Sequence, residues 1–263
     1  MVQYQVDEQP RPLPDVALTA TDPMRILLYN VGYCTELDGS LKDYALRWYR
    51  YLYTPRNVRK SAVHSLARMV EAHNPDVCCF VEIRKNLNRL PHFEAYSTRN
   101  VDNKYAQYGF LRHMPFFRNN CNGFFSQKPL PFTKRWMKNG TKKLLYEIDL
   151  GRDTTLMFAH MSLRASTRRK QFQELKSWVK KKKRVILCGD FNTFKGEEDL
   201  EMFARDAGLN IVVPPEKGTF PTRKPRKAID LFLCSPGVDI RSIQALQHVQ
   251  ASDHLPVLVE MKL

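Results

Sequence analysis

The chain has 263 residues, and none of its apolar runs approaches the ~20 residues of a membrane-spanning helix. A helical membrane protein is therefore not expected. Residues 1–23 contain no continuous apolar stretch, so no secretory signal is expected either. Pro10, Pro12, Pro14 and Pro23 make this stretch an irregular arm, followed by a single domain over residues 24–263. No Cys-x-x-Cys pair occurs among Cys34, Cys78, Cys79, Cys121, Cys188 and Cys234. Cys78, Cys79 and Cys188 lie inside apolar runs, which favours buried free thiols over a disulfide framework. A reducing, cytoplasmic setting is the matching expectation. There is no internal repeat, and the only low-complexity run is Lys180 to Arg184. Acids are scarce beside bases: 27 Asp and Glu face 42 Lys and Arg, a net charge of +15. That excess favours a phosphate-rich polyanion such as nucleic acid, or an anionic membrane surface, as partner. No obligate protein partner is legible. At 43% hydrophobic and 26% charged the composition is that of a globular chain with a sizeable core.

The stretch that organises the rest is Val185-Ile186-Leu187-Cys188-Gly189-Asp190-Phe191-Asn192. A short apolar run, β-branched at its start, reads as a buried central strand. Gly189 lets the backbone pass close to a neighbour. Extended alternation puts Asp190 and Asn192 on one side at the strand's end. Such a pair can hold a divalent cation or a phosphate, or simply form an Asx-turn. The remainder of the chain repeats the theme. Met24 to Val31 is a strand that carries Asn30, and Val77 to Val81 is another followed by Glu82. Asn122 to Ser126 and Lys143 to Ile148 read as two further strands, Thr154 to His160 ends on a histidine, and Asp230 opens the strand Asp230 to Leu233. Ser252-Asp253-His254 precedes a last strand, Val257 to Met261. Helices are expected from Thr54-Pro55 to Asn74-Pro75, from Ser166 to about Lys180, and from Glu197 to Ala207, with Gly208 ending the third.

One polar residue at a strand end is ordinarily a cap or a turn. Here the set comprises Glu82, Asp190, Asp230 and Asp253, the amides of Asn30 and Asn192, and the imidazoles of His160 and His254. Hard oxygen donors without a thiolate suit Mg²⁺ or Mn²⁺ rather than zinc. Histidines beside carboxylates handle protons near neutral pH. Neutral amides bind a phosphoryl oxygen without repelling it. The inventory suits hydrolysis of a phosphate ester by direct attack of water.

The order and surroundings of Tyr29-Asn30, Val81-Glu82, Ala159-His160, Gly189-Asp190-Phe191-Asn192, Ile229-Asp230 and Ser252-Asp253-His254 resemble the endonuclease/exonuclease/phosphatase superfamily, over Met24 to Leu263. The resemblance implies an α/β four-layer sandwich of two largely antiparallel or mixed sheets flanked by helices. It implies a Mg²⁺- or Mn²⁺-dependent phosphoesterase, with Glu82 the principal metal ligand and Asn30 and Asp253 beside it. Asp190 orients or deprotonates the attacking water, and Asn192 contacts the phosphate. Asp253 supports His254, which contacts the scissile phosphate or acts as base, and Asp230 pairs with the other catalytic histidine. His160 resembles a position that is His in the deoxyribonuclease and sphingomyelinase branches and Tyr in abasic-site endonucleases, which weighs against abasic-site repair. Val81 stands where the family usually has Gln, so a lining contact is missing there. The family spans several substrate classes. Nucleic acid is favoured by the charge. The alternatives are a phospholipid or small phosphoester, and a non-catalytic binding module on the same fold.

Several basic residues are expected at the rim of such a site. Arg164 and Arg168 follow His160; Lys217, Arg223, Lys224, Arg226 and Lys227 precede Asp230. Arg164, Arg168, Arg223 and Arg226 are the candidates for substrate contact. Lys180 to Arg184 lie before the central strand, at the opposite end, and read as a solvated helix terminus. Arg47 to Tyr53 interleaves basic and aromatic residues. It can stack bases or enter a membrane interface, but a loop packed on its own aromatics is the favoured expectation.

Overall fold

The computed structural model describes residues 23–114, 117–216, 218–249 and 251–263. Of the expected arm only Pro23 falls within it; the remainder, and Lys217 of the expected rim, lie outside the described residues. The chain opens with β1 (Met24–Asn30), α1 (Leu41–Arg47), α2 (Arg56–His73) and β2 (Val77–Arg84). Next come β3 (Thr98–Asn103), β4 (Asn120–Ser126), β5 (Phe132–Trp136), β6 (Leu144–Asp149) and β7 (Thr154–His160). Then follow α3 (Ala165–Val179), β8 (Arg184–Asp190), α4 (Glu197–Ala207) and β9 (Asn210–Val212). β10 (Asp230–Cys234), β11 (Asp239–Ala245) and β12 (Val257–Lys262) complete the order.

The strands form two six-stranded sheets, ordered β11-β12-β1-β2-β4-β3 and β5-β6-β7-β8-β10-β9. Each has one parallel pair at its centre, β1 with β2 and β7 with β8, and the other pairs are antiparallel. A parallel pair needs a crossover, and α2 and α3 supply the two. Strand alternation explains the layers. Ile26 and Leu28 of β1 meet Ile186 and Cys188 of β8 in the core between the sheets. Leu27 and Tyr29 face outward under Ala62, Leu66 and Met69 of α2. Val185 and Leu187 face outward under Phe172 and Leu175 of α3. The result is the α/β sandwich of four layers.

The helices start and stop for local reasons. α2 follows Pro55, and its chain turns at Asn74, which adopts a left-handed φ of 41° before Pro75. Gly208 closes α4 with a φ of 71°. No helix among the described residues is long and apolar enough to cross a membrane. The six cysteines are free and buried. One expectation fails outright. The segment around Arg47 to Tyr53 is not packed on itself: Trp48, Tyr49, Leu52 and Tyr53 are all exposed.

Candidate active site

Strand register builds one half of the site. His160 lies opposite Asp190 in the β7–β8 pair, and Asp190 lies opposite Asp230 in the β8–β10 pair. The three form a row across three neighbouring strands. Gly189 makes the row possible: a Cβ there would sit 1.9 Å from Ala159 O. The close neighbour expected of this glycine is thus the strand that carries His160. β8 ends at Asp190, and Asn192 turns into a left-handed φ of 53° instead of continuing the extended alternation. Its N–H donates to Asp190 Oδ1 (2.9 Å), and its amide nitrogen donates to Met161 O (3.0 Å), which leaves one amide N–H for a substrate.

The other sheet supplies the second half. Asn30 ends β1 and crosses the gap: its Nδ2 donates to Asp190 Oδ2 (3.0 Å) and lies 3.3 Å from His254 Nε2. Glu82 sits where the β2–β4 register shifts between Phe80 and Ile83, with a left-handed φ of 53°. A bulge of this kind re-aims a side chain, and Asn122 Oδ1 pins it by accepting from Glu82 N (3.0 Å). Val81, in place of the family's usual Gln, is fully buried in the inter-sheet core.

The pairing of the histidines differs from the expectation. Asp230 Oδ2 pairs with His254 Nδ1 at 2.7 Å, not with His160. Asp253 is turned away from the imidazole and accepts from Tyr44 Oη (2.5 Å) and Ser252 Oγ (3.0 Å). The reason is geometric: Asp230 is the residue that strand register carries into the row, while Asp253 faces α1 and Gly32. His160 Nε2 lies 3.3 Å from Asp190 Oδ2, and its Nδ1 lies 4.0 Å from Glu82 Oε1.

Two lysines complete the site, and neither was expected there. Lys142, just before β6, touches His160 Nε2. Lys104, just after β3, is buried against Tyr33 Oη and lies 3.3 Å from Glu82 Oε1. Gln171 of α3 holds the Lys142 turn through Lys142 O (2.8 Å) and Asn139 O (3.1 Å). The only sequence signal for Lys142 is its place ahead of a strand antiparallel to the one that ends on His160.

These neighbours set the charge states. Burial disfavours the Glu82 carboxylate, but the ammonium groups of Lys104 and Lys142, with His160, outweigh it and hold it down at about 2. Burial raises Asp190 in the same way, and His160, His254 and Lys142 bring it well below the usual carboxylate range. For His160, burial and then the Lys142 charge lower the imidazole to about 4, so it is neutral. For His254, burial is overcome by the charge and hydrogen bond of Asp230, with Asp253 and Asp190 adding, and the imidazole rises to about 10. The Asp230–His254 pair keeps its proton on the imidazole. Lys142 falls to about 8, burial prevailing over Glu82 and Asp190.

The expected rim divides. Arg164, Arg223 and Arg226 are exposed. Arg168 is not at the rim: it is 1% exposed, and its guanidinium donates to Ser162 O, Leu163 O and Lys195 O. As the first inward-facing residue of α3 it ties the loop after β7 to the loop after β8, so it positions His160 and Asp190 rather than meeting substrate.

The donors suit a hard divalent ion. Glu82, Asp190, Asp230 and Asn30 supply oxygen atoms, and the ligating atoms of Asp190, Asp230 and His254 fall within 4.8 Å of one another. Two buried polar atoms of the site, His160 Nδ1 and Asp230 Oδ1, have no hydrogen-bond partner. Unlike Asp190 and Asp230, Glu82 has no histidine at hydrogen-bond distance, and a cation there would share it with Lys104.

The sequence model of the endonuclease/exonuclease/phosphatase family matches residues 29–254. The chain belongs to this family. Among solved structures, a family member from Beutenbergia cavernae superposes with a TM-score of 0.66 at 16% identity, covering 92% of this chain and 72% of that one. The mannosyl-6-phosphatase Bt3783 of Bacteroides thetaiotaomicron gives 0.64 at 15% identity, over 90% of this chain and 99% of its own. The human Nocturnin catalytic domain, with a bound sulfate anion, gives 0.62 at 18% identity, over 91% and 93%. At these identities the likeness is one of fold. No curated protein matches the chain. Membership makes the chain a phosphoester hydrolase by fold and places it among proteins that generally use a divalent metal.

Proposed function

We propose that the chain hydrolyses a phosphodiester by attack of water, assisted by Mg²⁺ or Mn²⁺. The observation that carries this reading is the contrast between Asp190 and His254. A carboxylate held ionised and an imidazole held protonated lie side by side: the Asn30 amide nitrogen donates to Asp190 (3.0 Å), and His254 Nε2, 3.3 Å from that nitrogen, keeps its N–H for another acceptor. As the water oxygen bonds to phosphorus, one ester P–O bond breaks; Asp190 takes the water's proton, His254 donates a hydrogen bond to a phosphoryl oxygen as negative charge builds there, and the departing alcohol oxygen takes its proton from solvent. Asp230 keeps His254 charged and aimed. The free amide N–H of Asn192 adds a neutral donor. Glu82, with Asn30 and Asp253 nearby, would hold the metal, which supplies charge neutralisation at the phosphate.

The substrate favoured by charge is nucleic acid, with Arg164, Arg223 and Arg226 as phosphate contacts. A second reading, a phospholipid phosphodiester, is favoured by the exposed apolar segment around Trp48. The phosphatase among the fold relatives adds a sugar phosphate to the list worth assaying. The test is a panel of single- and double-stranded DNA, RNA, phospholipid vesicles, and sugar and inositol phosphates, each with Mg²⁺ and with excess chelator. Metal-dependent oligonucleotide cleavage that weakens steeply with salt is the expected result. Turnover of lipid with no cleavage of any oligonucleotide moves the substrate to the second reading, and turnover of nothing in the panel removes the catalytic one.

A further inference from the structure

Amphipathic helices normally turn their apolar stripe inward. The stretch formed by α1 and the 3-10 turn Trp48–Tyr51 does the reverse. Leu41, Leu46, Trp48, Tyr49, Leu52 and Tyr53 follow one another closely along this stretch, and all six are exposed, Leu41 by 88% and Leu46 by 64%. The side chains of this stretch that do turn to the protein are polar. Asp43 is buried there, and Tyr44 hydrogen-bonds Asp253. The other four exposed large apolar side chains of the described residues are scattered singly: Phe110, Leu163, Met202 and Val213. Isolated exposure is ordinary, whereas a contiguous patch marks an interaction surface.

Directly after this stretch lies a cavity of about 520 Å³. Arg56, Arg59 and Lys60 from the start of α2 line it, with Arg84 at the end of β2 and Lys85 just after it, and no carboxylate does. The first turn of α2 has no acid and no capping side chain, so the helix dipole adds to the positive charge. Of these five cations only Arg84 is tied down, to Tyr33 O and Thr54 Oγ1. Thr54 in turn donates to Arg50 O, which joins the cavity wall to the end of the apolar stretch. Like charges gathered without a counterion are unfavourable, and an anionic ligand relieves that.

We propose that the exposed stripe of residues 41–53 and the adjoining Arg56–Arg59–Arg84 cavity form a docking face for an anionic phospholipid membrane, the stripe entering the interface and the cavity receiving a lipid phosphate. Two features favour lipid over unpaired bases as occupant. Leu41, Leu46 and Leu52 are aliphatic and cannot stack, and Trp and Tyr beside Leu with basic flanks is the composition of interfacial segments. The proposal goes beyond the phosphoesterase reading and does not depend on which diester is cut.

The test uses the full chain in excess chelator, so that binding is read without turnover. Co-sedimentation is measured with vesicles of phosphatidylcholine alone and of phosphatidylcholine mixed with phosphatidylglycerol. Binding to the mixed vesicles is expected to exceed binding to the neutral ones by at least ~10-fold. The double variants Leu46→Ser/Trp48→Ser and Arg56→Gln/Arg59→Gln should each lower it by about tenfold or more, with turnover of a water-soluble diester unchanged. In a Trp136→Phe/Trp178→Phe background, Trp48 emission should shift to the blue on adding mixed vesicles. Absence of sedimentation at low salt overturns the proposal, as does sedimentation that survives Leu46→Ser/Trp48→Ser. It is also overturned if those variants abolish oligonucleotide binding or dissociate a dimer while vesicles are ignored.

Discussion

His160 and His254 occupy matched positions and behave as opposites. Both are buried, and both approach Asp190 or its hydrogen-bonded neighbour. His254 has carboxylates on its open sides and is held protonated. His160 has the Lys142 ammonium against Nε2 and is held neutral. Burial pushes both the same way, so the sign of the nearest charge decides between them. A strand carboxylate, Asp230, and a loop ammonium, Lys142, thus assign one imidazole as donor and the other as a neutral partner for whatever occupies the space beside Glu82.

The contrast can be broken most sharply at its acidic centre. His254→Ala and Asp190→Asn should each lower turnover by at least ~10²-fold, with circular dichroism unchanged. Near-normal rates in both folded variants would relocate the site. Glu82→Gln should raise the Mg²⁺ concentration needed for half-maximal rate by at least about tenfold. Full turnover of the wild type in excess chelator would sink the metal assignment. Asp230→Asn sharpens the comparison through pH. A raised pKa means that protonated His254 persists below about 10 and is lost above it, so the rate should fall as pH rises through that value. Without Asp230 the fall should begin nearer the ordinary ~6.5; a pH–rate profile reads the shift, and an unmoved limb would clear Asp230 of this role. The smallest change is Lys142→Met. His160 should then titrate above about 4, toward its ordinary range, as followed by the histidine ring protons in NMR. An unchanged titration would mean that burial alone keeps His160 neutral.

How far the sequence carried the reading follows the sheets themselves. β1, β2, β4, β6, β7, β8, β10 and β12 were all anticipated, because inner strands bury both faces and read as apolar runs. β3, β5, β9 and β11 were not, and they are the four sheet edges. An edge strand such as Thr-Arg-Asn-Val-Asp-Asn carries polar residues that shield its open side, which erases the alternation. The site divides along the same line. Asn30, Asp190, His160 and Asp230 sit at ends of inner strands, were named from the sequence, and lie together in the structure. Lys104 follows the edge strand β3, and Lys142 depends on the β6–β7 register, so nothing local announced either. Arg168 was misplaced because following His160 in sequence did not reveal which side of α3 it faces. Arg47 to Tyr53 was expected to pack as a loop on its own aromatics because buried aromatics are common, and burial is a tertiary outcome.

The halves of the site ride on different sheets. Asn30 and Glu82 belong to one, and His160, Asp190 and Asp230 to the other. The distance between them is therefore set by the thickness of the apolar layer around Leu28, Val81, Phe158 and Ile186. That layer works as a calliper. Shaving a methylene from its middle changes the jaw opening at its end, so variants far from any polar atom should lose rate before they lose cooperativity of melting. Hydrostatic pressure, which squeezes such layers, becomes a dial on the chemistry.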